Sequence, residues 1–226
     1  MADTPYQPTE RRPIAARGWP IWQWTARWLA RRGVSPNFIS IAGMVCGIGA
    51  GLALAATPHA AGGERAAWLA AAVLIQLRLL ANLLDGMVAI ESGRASPVGE
   101  LYNEVPDRVS DTATIVGAGH AVGGDVVLAG FAACAAMFTA YVRVMGKAAG
   151  ARHEFCGPMA KQQRMALLTA VAAAGGLLPA EWLPVKSAFG GRGLVAAALA
   201  VILVGSLITA ARRLARIAAT LRSRSA

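Results

Sequence analysis

Long apolar segments divide this chain and constrain what it can fold into. Six of them occur, at roughly 37–57, 66–90, 106–122, 125–146, 162–179 and 193–211. A helix that crosses a bilayer needs about 20 consecutive, mainly apolar residues. With 56% hydrophobic and only 15% charged residues, the chain is too apolar for an ordinary soluble domain. The sequence therefore predicts an all-α polytopic membrane protein with six transmembrane helices.

The residues before the first apolar segment predict a helix that lies on the membrane. At 100° per residue, one side of the segment 19–32 carries Trp22, Thr25, Trp28 and Leu29, and the other side carries Gln23, Arg27 and Arg31. This amphipathic pattern is typical of a helix in the headgroup layer of an anionic leaflet, and a soluble packing helix is the alternative. The chain is thus expected to have four parts: a disordered N-terminal arm at 1–18, an interfacial amphipathic helix at 19–33, a six-helix domain at 34–213 and a basic cytoplasmic tail at 214–226.

The basic residues indicate how the spans are oriented. A six-span layout places both termini on one side of the membrane, and 18 of the 22 Lys and Arg residues lie on that side. The opposite side carries only Arg65, Lys186 and Arg192, while Arg78 lies within the second span. Because cytoplasmic loops carry an excess of Lys and Arg, we expect a multi-pass protein of the inner (plasma) membrane with cytoplasmic termini. The same distribution accounts for the net charge of +10 without a nucleic-acid partner.

Half of the acidic residues are concentrated beside the second span. Six of the 12 lie between residues 85 and 111. Two groups of polar residues have the spacing of a shared helical face, in the second and third spans respectively: Arg78, Asn82 and Asp85, and Asn103, Asp107 and Asp111. Such side chains are costly in a membrane and face the bundle interior or an aqueous cavity. They form either an interhelical network of hydrogen bonds and ion pairs or a site for a cation, on the cytoplasmic side.

The chemistry of these groups favours a hard divalent cation over zinc. Carboxylate and amide oxygens suit Mg²⁺, with Mn²⁺ as a substitute, whereas no histidine or cysteine lies nearby to bind zinc. Magnesium usually shares its ligand shell with substrate phosphates. Gly86 and Gly99 lack side chains, which would let a phosphate or nucleotide approach the backbone. A bound Mg²⁺ or Mn²⁺ ion, with a phosphate beside it, is therefore the first candidate for this cluster.

Fixed gaps separate the polar residues of this region, in the order Asn82-x2-Asp85-Gly86-x2-Ala89-Ile90-x8-Gly99-x3-Asn103-x3-Asp107. This pattern resembles the signature of the CDP-alcohol phosphotransferases, D-x2-D-G-x2-A-R-x8-G-x3-D-x3-D. Two shorter segments also resemble motifs of that family, P-N-x-x-[ST] and Y-x-R, in Pro36-Asn37-x2-Ser40 and Tyr141-Val142-Arg143. The resemblance is close over residues 37–164 and architectural elsewhere, so the region 34–213 is expected to be a phosphotransferase domain.

The resemblance implies an integral membrane enzyme of phospholipid biosynthesis. Such an enzyme moves a phosphatidyl group from CDP-diacylglycerol to a polar alcohol acceptor, here a small polyol or polyol phosphate, and releases CMP. It further implies a cofactor of one or two Mg²⁺ or Mn²⁺ ions, contact with membrane lipid and a homodimer. Asp107 is implied as the catalytic base toward the acceptor hydroxyl. The implied metal ligands are Asn82, Asp85, Asn103 and Asp107, and the implied CDP-binding residues are Asn37, Ser40, Gly86, Ala89 and Gly99.

Three positions depart from the family signature. Asn82 and Asn103 stand where the family has aspartate, and Ile90 stands where it has arginine. An asparagine oxygen can ligate a cation but adds no charge, so Glu104 and Asp111 become candidate ligands for a second ion. A degenerate member that binds CDP-lipid without turnover is the alternative function. A small transporter is disfavoured, because its charged residues would be spread across the membrane rather than clustered at one depth.

Basic residues after the fourth span are candidate ligands for the acceptor. Positive-inside bias explains a loop cation such as Lys147, but Arg143 lies within the end of a span, where that bias does not require it. Arginine binds phosphate through paired N–H donors, and the resemblance implies that the acceptor pocket lies in this region. We therefore expect an anionic acceptor to be held by Arg143, Arg152, Lys161 and Arg164.

Overall fold

The computed structural model describes residues 15–151, 154–179 and 193–225, and seven α-helices account for most of them. Short 3-10 turns at Ala15–Gly18 and Thr57–His59 accompany the helices, which are α1 (Pro20–Arg31), α2 (Pro36–Ala56), α3 (Glu64–Glu91), α4 (Pro97–His120), α5 (Val126–Ala148), α6 (Lys161–Leu177) and α7 (Leu194–Ser225). These described residues contain no β-strand. The predicted all-α class is confirmed.

Four helices of the described chain are long and apolar enough to cross a membrane. They are α2 with the turn that follows it, α3, α5 and α7. The predicted third and fifth spans correspond to α4, whose first half is rich in charged residues, and to α6, which has only 17 residues. The multi-pass character is thus supported by four spans, and the count of six stays a prediction.

Helix α4 begins well before the predicted third span. Pro97 occupies its first turn, and the Ser96 hydroxyl caps it by accepting a hydrogen bond of 3.0 Å from the Gly99 amide. Serine before a first-turn proline is a favourable helix start. The helix therefore starts well before residue 106, where the third span was expected to begin, and it carries both Gly99 and Asn103.

The two ends of the chain differ from expectation in smaller ways. Residues 1–14 of the predicted disordered arm lie outside the described residues, and Ala15–Gly18 form a 3-10 turn. The predicted basic tail from residue 214 is helical as far as Ser225, as a continuation of α7, and its cytoplasmic location stays a prediction. Arg152 also lies outside the described residues.

Close contact between α2 and α4 fixes the position of the acidic helix. Gly51 of α2 faces the backbone of Ala113, and Gly117 of α4 faces the backbone of Gly51. A side chain at either glycine would overlap the opposite main chain. Small residues let helix backbones approach in this way. Since α2 also packs along α3, the polar faces of α3 and α4 are held next to each other.

Helix α1 forms over the residues for which the amphipathic pattern predicts it. Ala26 is buried in a small apolar cluster with Leu84 and Val88 of α3. Trp24 and Trp28 are exposed. A lipid surface would cover such tryptophans, and the location of α1 at the membrane interface stays a prediction.

Candidate active site

A cavity of about 450 Å³, lined by many charged and amide side chains, opens among α2, α3, α4, α5, α6 and α7. Its lining includes the described residues predicted for the site, except for one carboxylate, Asp111. They are Asn37, Ser40, Asn82, Asp85, Gly86, Ala89, Gly99, Asn103, Glu104, Asp107, Arg143, Lys161 and Arg164. Residues that are spaced along the sequence thus lie around one cavity in the folded chain. Their roles in binding and catalysis stay predictions.

Asp85 is buried and is surrounded by neutral partners. Ser40 of α2 donates a hydrogen bond of 2.7 Å to its Oδ2 atom, and the Gly86 amide donates to its Oδ1 atom. Within the described residues, no Lys, Arg or His lies within 4 Å of this carboxylate. A buried carboxylate without a cation is costly, so Asp85 is the carboxylate of the site that best suits a bound cation.

Asp107 is buried in the opposite environment, because donors from two other helices surround it. Arg78 of α3 donates to its Oδ1 atom, and Lys161 of α6 donates to its Oδ2 atom at 2.5 Å. The Asn82 amide nitrogen lies 3.1 and 3.3 Å from the two oxygens. An ionised carboxylate only accepts hydrogen bonds, so the group that faces it must be the amide nitrogen of Asn82. The lone pairs of Asp107 are therefore already used by the chain's own donors.

Arg78 is the buried cation whose role the sequence left open. Its side chain is 3% exposed, and its Nε atom donates to the Ser110 hydroxyl. It pairs with Asp107 and lies 3.9 Å from Asp111, so its carboxylate partners are on α4. Arg78 therefore joins α3 to α4 and does not pair with Asp85, its neighbour on the same helical face.

Glu104 is held by two arginines at the edge of the cavity. Arg143 donates to both carboxylate oxygens at 2.7 Å, and the Nε atom of Arg108 lies 3.2 Å away. Burial would raise the pKa of Glu104, but Arg108 and Arg143 outweigh that effect and lower it below its usual value. These contacts use the oxygens that a second metal ion would need. They also engage Arg143, which an anionic acceptor would have to share with Glu104.

Lys161 and Arg164 begin α6 and are both buried. Arg164 is 1% exposed, contacts Asp111 at 3.4 Å and donates to the Met159 carbonyl at 2.9 Å. Burial lowers the pKa of Lys161 to about 8, although the Asp107 carboxylate opposes the shift. Asp111 lies behind the cavity wall as the partner of Arg164, which leaves it poorly placed to ligate an ion in the cavity.

The profile of the CDP-alcohol phosphatidyltransferase family matches residues 33–220, which is most of the chain. The chain belongs to this family. The predicted family and the predicted enzyme class, a CDP-alcohol phosphatidyltransferase, are therefore confirmed.

Curated members of the family resemble the chain over much of its length. A phosphatidylinositol phosphate synthase of Streptomyces avermitilis is 29% identical over 197 residues, which are 83% of this chain and 74% of the relative. An archaetidylinositol phosphate synthase of Aeropyrum pernix is 33% identical over 127 residues, which are 52% of this chain and 63% of the relative.

Solved structures show the same fold. The crystal structure of Mycobacterium tuberculosis phosphatidylinositol phosphate synthase with CDP-DAG bound has a TM-score of 0.68 at 21% identity, covering 88% of this chain and 94% of that one. Its complex with manganese and citrate has a TM-score of 0.67 at 20% identity, covering 87% and 88% of the two chains. At these identities the likeness shows the fold alone. The manganese complex agrees with the Mg²⁺ or Mn²⁺ cofactor predicted for this phosphatidyltransferase.

The residues of this family member fit one divalent cation better than two. The Asp85 carboxylate and the amide oxygen of Asn82, three positions earlier on α3, are oxygen ligands of the kind that Mg²⁺ prefers. No contact of Asn82 in the described structure uses that amide oxygen. The described residues contain no group of three or more His, Cys, Asp or Glu that could hold a metal ion. Donors of the chain contact both oxygens of Asp107, so Asp107 could ligate a second ion only by giving up one of these contacts.

Several basic residues of the phosphatidyltransferase cavity were missed by sequence reasoning. Arg213 of α7 is buried, lines the cavity and donates to the carbonyls of Cys156 and Thr139 at 3.0 and 2.7 Å. Its place just after the last predicted span gave no signal beyond positive-inside bias. The cavity is lined by four acidic residues and by eight basic ones, which are Arg17, Arg94, Arg108, Arg143, Lys147, Lys161, Arg164 and Arg213. This excess of positive charge suits anionic ligands.

Proposed function

We propose that this phosphatidyltransferase uses CDP-diacylglycerol as its donor and a phosphorylated polyol, such as an inositol phosphate or glycerol phosphate, as its acceptor. The excess of basic over acidic side chains around the cavity carries this proposal. A neutral acceptor would gain little from that excess, whereas a phosphate can accept paired hydrogen bonds from arginine. The phosphatidylinositol phosphate synthases among the relatives add support for an inositol phosphate.

In the proposed reaction, the acceptor hydroxyl oxygen bonds to the phosphatidyl phosphorus of the donor. The bond from that phosphorus to the oxygen of CMP breaks, and CMP leaves with the bonding electrons. Asp107 takes the hydroxyl proton, directly or through one water, once a donor moves off one of its carboxylate oxygens. Arg78 and Lys161, which contact Asp107, add positive charge where the reacting phosphates gather. A divalent cation held by Asp85 and Asn82 would supply further neutralisation of the donor pyrophosphate.

The donor is proposed to enter between α2 and α3. A side chain at Gly86 would meet no atom within 4 Å, so there is open space for a phosphate or nucleotide beside the α3 backbone. Asn37, Ser40, Ala89 and Gly99 line the same cavity and are the further proposed CDP-binding residues. On the opposite wall, Arg143, Lys161 and Arg164, with Arg152 outside the described residues, are proposed to hold the acceptor phosphate.

We also propose how the enzyme sits in the membrane. Six spans, formed by α2 to α7, would place both termini and the cavity on the cytoplasmic side of the plasma membrane. The asymmetry of Lys and Arg along the sequence supports this orientation. The exposed tryptophans of α1 support its location at the interface. A homodimer is proposed from the family resemblance alone.

The function is tested by measuring CMP release from CDP-diacylglycerol by the purified protein, with Mg²⁺ or Mn²⁺. The acceptors would be inositol 1-phosphate, glycerol 3-phosphate, inositol, glycerol, serine and choline. We expect metal-dependent release with one of the two phosphorylated polyols and little with their unphosphorylated counterparts, which serve as matched controls. Release only with an uncharged acceptor would contradict the proposed acceptor class.

The second candidate function is a protein that binds CDP-lipid without turnover. The neutral residues Asn82 and Asn103 at two signature positions favour it. Binding of CDP-diacylglycerol without CMP release for any acceptor would establish this candidate. CMP release with any acceptor would exclude it.

A further inference from the structure

We propose that Arg78 and Lys161 take the place of a second divalent cation, so that the site binds one divalent ion per chain, beside Asp85. This inference rests on the proposed function, because it assigns the charges that assist phosphatidyl transfer. It concerns the number of ions and the identity of the fixed cations, neither of which follows from membership of the family.

Two buried carboxylates of the site, Asp85 and Asp107, have contrasting partners. Asp85 has a serine hydroxyl and a backbone amide as partners, and both are neutral. Asp107 contacts two cationic side chains and an amide nitrogen. A metal ion needs oxygen lone pairs. Asp85 can still provide them, whereas Asp107 can do so only if its ion pairs break.

The charges of the four side chains at the centre of the site balance. Asp85 and Asp107 contribute two negative charges, and Arg78 and Lys161 contribute two positive ones, so the four side chains are neutral together. One divalent ion beside Asp85 would make the group doubly positive, which suits the pyrophosphate of a CDP-linked donor. A second divalent ion would be repelled by two cations that are already buried in the same place.

Arg78 is held in a fixed position by its contacts. A guanidinium stays protonated and presents its donors in a fixed plane. Here Ser110 accepts from its Nε atom, and Asp107 and Asp111 lie on its other side. The charge is thus held at one position before any substrate binds. Fixed charges of this kind stabilise a reaction without having to reorganise.

The number of bound ions tests the proposal directly. Mn²⁺ would be titrated into the purified protein with saturating CDP-diacylglycerol and no acceptor, and free Mn²⁺ would be followed by electron paramagnetic resonance. We expect one tightly bound Mn²⁺ per wild-type chain. Two tightly bound ions per chain, or none, would overturn the inference.

A charge exchange tests which side chains limit the number of ions. The double variant Arg78→Gln/Asn82→Asp removes one cation beside Asp107 and returns one carboxylate, so we expect a second tightly bound Mn²⁺. The matched control Arg94→Gln/Gln162→Glu makes the same change of charge elsewhere in the cavity lining and should bind one ion. One ion in the first variant, or two in the control, would count against the proposal. If the first variant does not fold, the wild-type count still decides.

The inference and the proposed function fail in different ways. Addition of the acceptor to the same wild-type sample reports CMP release independently of the ion count. One bound Mn²⁺ per chain without CMP release would support the role of Arg78 and Lys161 and contradict the proposed activity. CMP release with two bound Mn²⁺ per chain would support the proposed activity and contradict the role of Arg78 and Lys161.

Discussion

Asp107 connects three helices through a single carboxylate. Its partners are Arg78 and Asn82 on α3 and Lys161 on α6, while Asp107 itself belongs to α4. A buried ion pair contributes little net stability when intact but leaves an uncompensated charge when one partner is removed. The residue proposed as the base is therefore also one on which the local structure depends, and any substitution there has to separate the two effects.

Replacement of Asp107 by asparagine is expected to abolish CMP release and to lower stability. An amide cannot take the hydroxyl proton, and Arg78 and Lys161 lose their shared counter-ion, which costs about 3–5 kcal/mol for a buried pair. CMP release and thermal unfolding in detergent would both be measured. Asp111→Asn is the matched control, because it also removes a buried carboxylate from an arginine, Arg164, but lies outside the cavity lining. The base assignment fails if Asp107→Asn retains full activity or if both variants lose activity equally.

At the scale of elements, the contact between α2 and α4 positions the site from a distance. Gly51 and Gly117 let the two backbones meet about two turns along α4 from Asp107, and α4 then presents Asn103 and Asp107 to α3. A change in this contact is expected to move α4 as a rigid rod, because helices transmit displacement along their axes.

The variant Gly117→Ala is expected to lower the thermal unfolding temperature of the detergent-solubilised protein by several degrees and to reduce CMP release. Its added methyl group would overlap the carbonyl of Gly51, so α2 and α4 must separate. Gly130→Ala on α5 is the control, since a methyl group there meets nothing within 4 Å. Glycine to alanine in an open helical position stabilises by up to about 1 kcal/mol. Equal unfolding temperatures for the two variants would contradict the close-contact argument.

Sequence patterns located the elements and many residues that line the cavity, but not the pairings between those residues. Apolar length located six of the helices, and fixed spacing collected residues such as Asn82, Asp85 and Asp107 that lie around one cavity. Spacing along one helix cannot tell which residue of another helix lies opposite. Arg78 shares a face with Asp85 yet pairs with Asp107, because α4 packs against that part of α3. Apolar length placed the third span at 106–122 because the residues before it are charged, whereas the helix itself begins at Pro97, after the cap at Ser96.

At the scale of the whole molecule, the basic residues have two roles that coincide in space. Positive-inside bias would place them on the cytoplasmic side whatever the protein does. Eight of them line the cavity, where they outnumber the acidic residues by two to one. A cytoplasmic cavity would have direct access to water-soluble phosphorylated acceptors, while its donor arrives from the surrounding lipid. The orientation of the chain is therefore part of the proposed chemistry.

Reporter fusions would test that orientation. Green fluorescent protein after residue 226 is expected to fluoresce, and alkaline phosphatase at the same place is expected to be inactive, because 18 of the 22 Lys and Arg residues favour a cytoplasmic location for that end. The same two reporters inserted at Gly62, in the exposed turn between α2 and α3, should give the opposite result. Insertion at Gly93, between α3 and α4, is the control that should match the C-terminus, since one further span separates it from Gly62. Active phosphatase at Gly93 would place the cavity on the outer side, where a cytoplasmic phosphorylated acceptor could not reach it.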